Sequence, residues 1–187
     1  MLHLALEVCG DKGFSNVEIV PYENNQGAIK TILKNGGKLK EKFYAAAADE
    51  YVKRLGAYCK IAVLELPEEK LPDKPSQAQI DAALEKEGER ILAKIPNGAV
   101  IIALCVEGGT LSSEELASKL DKWMVQGKSQ FVFLIGGSFG MHPGVKAKAA
   151  LRLSMSPMTF PHHLARVMVL EQIYRAFKIN EGSSYHK

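Results

Sequence analysis

The stretch that most constrains this chain is a near-continuous apolar run, Ala99 to Val106, which stops at Glu107-Gly108-Gly109. A half-exposed strand alternates apolar and polar residues, whereas a strand covered on both faces does not. The run therefore predicts a buried strand of a parallel sheet. Phe131 to Ile135 repeats the pattern and is again followed by two glycines, Gly136-Gly137. Lys60 to Leu66 reads as another strand, stopped by Pro67. Helical stripes lie between the strands. Phe43, Ala47, Tyr51 and Leu55 mark a helix over Lys40 to Tyr58, and Ile80, Leu84, Ile91 and Leu92 mark a second over Gln79 to Ile95. Ser112 and Glu115 have capping-box spacing. They open a third helix, with Leu116, Leu120, Trp123 and Met124 on one face and Gly127 at its end. His162 to Ile179 is the last helix. It is apolar on more than one side, as a helix is when buried or shared with a partner subunit. Alternating strands and helices predict an α/β domain, with a mostly parallel sheet flanked by helices.

A length of 187 residues is enough for one core. Charged residues make up 24% and the net charge is +3, which permits an RNA or phosphate partner without indicating one. No apolar run approaches the roughly 20 residues that span a membrane. The opening MLHLALEVCG has no basic region and meets Glu7 early, which is not the pattern of a secretory signal. Three cysteines, Cys9, Cys59 and Cys105, form no CxxC and cannot all pair. A reduced, cytoplasmic setting is expected, with Cys59 and Cys105 as buried small hydrophobes.

Common signatures are absent. Gly136-Gly137-Ser138-Phe139-Gly140 has the wrong spacing for a dinucleotide fingerprint. Gly127-Lys128-Ser129 mimics the end of a P-loop, but Lys122 stands where the first glycine belongs. No metal is expected: the adjacent His162 and His163 should not share a helix face. What remains is positional, since ligands of open α/β sheets bind beyond the carboxyl ends of strands. Two such ends are glycine-rich, Leu104 to Gly109 and Ile135 to Gly140. These glycines either admit a ligand close to the backbone or simply turn the chain. A third segment, Met155 to Pro161, is apolar, carries two prolines and leads into the last helix, with Pro161 suited to its first position and Thr159 near the cap. It either walls a pocket or connects core elements.

The residues in combination carry a family resemblance. Leu134-Ile135-Gly136-Gly137, the Ser-Pro-Met-Thr-Phe-Pro-His stretch from Ser156 to His162, Arg166-Val167, Glu171 to Ala176 and the terminal Tyr185-His186-Lys187 closely resemble the bacterial ribosomal RNA large subunit methyltransferase H family, of the SPOUT class. The resemblance runs from about Gly37 to Lys187. It implies a homodimer with a carboxyl-terminal trefoil knot, which no periodicity would reveal. It also implies methyl transfer from S-adenosyl-L-methionine to N3 of a pseudouridine in large-subunit rRNA of assembled ribosomes, without metal. By matching motifs, the cofactor-binding residues would be Leu104, Gly136, Met155, Ser156, Pro157, Met158, Thr159 and Phe160. Arg166, Tyr185 and His186 would face RNA, with Arg166 and His186 also candidates for catalysis. Arg166 has a competing reading as a surface or intersubunit ion pair, and the terminal Tyr-His as a frayed tail.

Residues 1–36 lie outside the resemblance, leaving 37–187 as the methyltransferase domain. Family members begin with an apolar strand running into a turn like Gly37-Lys38-Leu39-Lys40. Here the preceding segment resembles the end of a GNAT acetyltransferase: a helix from Leu4 to Cys9, a strand from Asn16 to Val20, and Asn24-Asn25. The expectation is a fused chain that has lost the first strand. Ile29, Thr31 and Leu33 alternate and could fill its place; alternatively Val17 to Val20 does so and residues 26–35 are helical. Two other functions stay open: a ribosome-binding or assembly protein with weak catalysis, and a GNAT-like acyltransferase.

Overall fold

A computed structural model of the chain describes residues 28–34 and 42–186. The Leu4–Cys9 helix, the Asn16–Val20 strand, the Gly37–Lys40 turn, the His186 side chain and Lys187 lie outside what it describes. The elements in order are β1 (Ala28–Lys34), α1 (Lys42–Leu55), β2 (Lys60–Leu66), α2 (Gln77–Ala93), β3 (Val100–Thr110) and α3 (Ser113–Val125), then β4 (Gln130–Ile135), α4 (Pro143–Lys146), β5 (Leu151–Ser154) and α5 (His162–Asn180). A short 3-10 turn, Ser184–His186, follows.

The five strands form one sheet in the order β2-β1-β4-β3-β5, and every pairing is parallel. β4 is central because both of its faces are apolar. Phe131, Phe133 and Ile135 point to one side, with Val63, Ile102 and Leu104, and pack under α1, α3 and α5 through Leu55, Leu120 and Leu170. Val132 and Leu134 point to the other side, with Leu64, Leu66 and Ala103, against Ile91 of α2 and Val145 of α4. Burying each large apolar side chain stabilises the fold by roughly 1.5–3 kcal/mol. The α/β fold with a parallel sheet between helical layers is the architecture the apolar runs predict.

Residues 28–34 are a strand, not part of a helix over 26–35. β1 runs alongside β4, with Ile29 opposite Phe131, Thr31 opposite Phe133 and Leu33 opposite Ile135. β3 does not stop at Val106 but continues to Thr110, with an irregularity between Leu104 and Gly109 in its pairing with β5. Gly108 permits this continuation: a Cβ there would lie 2.7–2.8 Å from the Leu153 and Arg152 backbone. The segment after Gly140, with no strand expected in it, divides into α4 and β5.

Helix starts follow their caps. Ser76 caps α2 in a capping box with Gln79, so the helix begins at Gln77, two residues before the start the stripe predicts. Ser112 and Glu115 form the expected box on α3, and Gly127, at φ 79°, follows that helix in the left-handed region. Pro161 is the N-cap of α5 rather than its first helical residue, and no side chain caps that end.

Candidate functional site

The carboxyl ends of β3, β4 and β5 open into one cleft of about 400 Å³. Three chain segments line it: Leu104 to Glu107, Ile135 to Met141 (Phe139 excepted), and Leu153 to His162 (Pro157 excepted), with Lys146 and Ala165 beside them. The first segment is available because the β3 irregularity takes Cys105 to Gly108 out of the ladder with β5. The second makes a tight return in which Gly140, at φ 80°, donates its N–H to the Gly137 carbonyl at 2.9 Å. Gly136 sits against that return, and a Cβ on it would come 2.8 Å from the Gly140 carbonyl oxygen. The third segment is shaped by two serines. Ser154 Oγ donates to the Ser156 carbonyl at 2.9 Å, and Ser156 Oγ accepts from the Met158 N–H at 3.0 Å. Met158 is thereby held at the rim, 73% exposed.

Leu104, Gly136, Met155, Ser156, Met158, Thr159 and Phe160 therefore meet at one place, although Gly136 is thirty-two positions after Leu104 and nineteen before Met155. Pro157 stiffens the loop from outside the lining. Sequence reading misses Glu107, Lys146 and His162. Lys146 Nζ lies 2.5 Å from Glu107 Oε1, joining α4 to the end of β3 across the rim. The bond from Lys146 holds the Glu107 carboxyl below its ordinary range. Cys105 is only partly buried, contrary to its expected place in the core. Burial foremost, with Glu107 nearby, pushes its thiol up and away from the reactive thiolate.

Arg166, read from the sequence as an RNA contact, is instead 3% exposed and donates to Glu65 Oε1 of β2 at 2.5 Å. The ion-pair reading holds, but the pair lies in the interior. Its neighbour Ala165 faces the cleft. Tyr185 packs edge-on against Tyr174, with ring centres 5.1 Å apart, and Arg175 lies over its ring at 5.0 Å. It does not line the cleft of its own chain.

His162 and His163 also differ from expectation. Side chains one residue apart diverge along a helix, yet at the first turn of α5 these rings tilt together. Their Nε2 atoms are 3.1 Å apart. Among the described residues, no three metal-ligating side chains converge, and no helix is long and apolar enough to cross a membrane.

One solved structure, a probable methylase family protein from Haemophilus influenzae, is 11% identical, with a TM-score of 0.48 over 84% of this chain and 67% of that one. A family model described as a predicted SPOUT methyltransferase matches residues 29–186. That match begins inside β1, ahead of Gly37, and takes in all three segments of the cleft. On that match, this chain belongs to the SPOUT methyltransferase family.

Proposed function

We propose that the chain, as a homodimer with a knotted carboxyl-terminal half, transfers a methyl group from S-adenosyl-L-methionine to N3 of a pseudouridine in large-subunit rRNA of the assembled ribosome. The observation that carries the reading is the convergence of Leu104, Gly136 and the Met155–Phe160 loop on one strand-end cleft. The cleft suits the cofactor. Its size falls in the range of small-molecule pockets. Leu104, Ile135, Leu153 and Met155 give apolar walls, and Gly136 lines the cleft where the lack of a Cβ lets the Gly140 return close against it.

When bound, the cofactor supplies a methyl group on a cationic sulfonium, whose charge is cancelled by the anionic imide nitrogen that receives it. The apolar walls then exclude water at no cost to the transition state. Met155, Met158 and Phe160 would cover the cofactor, while Gly136 and the Leu104 backbone would seat it. Fixing donor and acceptor in line supplies most of the barrier reduction.

The test has two arms. Calorimetry with S-adenosylmethionine should show saturable binding, abolished in Gly136→Val, while acetyl-CoA should give no heat. Labelled methyl should then pass to ribosomes lacking the modification. Cofactor binding without transfer would instead favour a ribosome-binding or assembly role. Sizing chromatography checks the dimer.

A further inference from the structure

We propose that His162 and His163 form a two-imidazole relay: His162 takes the proton from the nitrogen that is being methylated, and His163 passes it outward. The proposal rests on the methyltransferase reading above and supplies its proton acceptor. His162 lines the cleft beside Phe160 and Pro161, whereas His163 lies outside the lining and stacks on Tyr44 of α1, ring centres 6.1 Å apart. Their Nε2 atoms at 3.1 Å are at hydrogen-bond distance. Two neutral rings can meet there only if one donates Nε2–H and the other accepts at Nε2. With His162 as donor, its remaining lone pair is on Nδ1.

The step balances. As the N–C bond forms, the C–S bond breaks and its electron pair goes to sulfur. As it does, the imide proton goes to His162 Nδ1 and the N–H electron pair stays on nitrogen, so the nitrogen is anionic in character when it takes the methyl carbon. His162 hands its Nε2 proton to His163 Nε2, and His163 releases its Nδ1 proton to solvent. The pair ends neutral, with its tautomers exchanged.

The surroundings keep His162 ready to accept. Burial lowers its proton affinity and the Arg166 charge lowers it further, while Glu68 and Glu65 partly offset both. Among the described residues, Tyr44 on α1 also packs against the pair, on the His163 ring. A neutral imidazole at working pH is the state a general base needs.

Histidine nitrogen NMR on the full chain and single-turnover transfer to methyl-deficient ribosomes test this together. Replacing His163 by Asn should change both the titration and the tautomer of His162, as a coupled pair requires. Independent titrations, each unaffected by loss of the other, would overturn the relay. His162→Ala should slow transfer by about 10²–10⁴-fold, keep cofactor binding within about twofold, and recover part of the rate when free imidazole is added. A His162→Ala rate equal to wild type would overturn the acceptor role and leave the methyltransferase reading standing. A wild-type chain that binds cofactor but moves no methyl would remove the substrate reading, and the acceptor with it.

Discussion

Arg166 gives the sharpest energetic prediction. Its guanidinium and the Glu65 carboxylate are both nearly excluded from water and meet at 2.5 Å, linking the first turns of α5 to the edge strand β2. Replacing Arg166 by Met leaves a buried carboxylate with its cationic partner gone. Breaking a buried pair in this way costs about 3–5 kcal/mol. For a chain of this size, roughly 2–4 °C per kcal/mol puts the fall in melting temperature at about 6–20 °C. Replacing both partners, Glu65→Leu with Arg166→Met, removes the stranded charge, and most of the lost stability should return. Thermal unfolding at fixed protein concentration, followed by circular dichroism and by fluorescence of Trp123, reads this out. Trp123 is the single tryptophan and packs 6.2 Å from the Phe131 ring of β4, so it reports the core itself. An Arg166→Met variant within about 1 kcal/mol of the parent would refute the reasoning. So would a double variant no more stable than the single one.

Three other outcomes are expected. Gly136→Val forces a side chain onto the Gly140 carbonyl, so besides losing cofactor binding it should cost about 1–3 kcal/mol in denaturant unfolding. Met158→Ser, at an exposed loop tip, should leave the melting point unchanged but weaken calorimetric cofactor binding several-fold. Glu107 has a lowered folded-state pKa, so its pairing with Lys146 stabilises above the ordinary carboxylate range and fades as pH falls through the lowered value. Because the pair is half exposed, Glu107→Gln should cost no more than about 1 kcal/mol at neutral pH and flatten the acid side of the stability profile.

What the sequence discloses and what it hides divide along physical lines. Features set by neighbouring residues are legible: the two-sided apolar runs of β3 and β4, the Ser112–Glu115 box, and the left-handed Gly127. The positional rule for strand ends also picks out two of the three segments that build the cleft, and the two prolines of Met155–Pro161 mark the third. Features set by long-range packing are not legible. Nothing local says that β1 lies between β2 and β4, or that the four-residue β5 pairs with β3. Arg166 reads as a surface cation because its partner, Glu65, is 101 residues away. The His162–His163 contact depends on ring rotamers at a helix start, which helical spacing does not specify. Gly108 was visible as a glycine, but the backbone it accommodates belongs to Arg152 and Leu153.

The most direct test is a crystal structure of the chain grown with S-adenosylhomocysteine, the spent form of the donor. Clear density against Leu104, Gly136 and the Met155–Phe160 backbone is the predicted result. Density at another surface, or those strand ends closed upon themselves with the ligand excluded, would contradict the account.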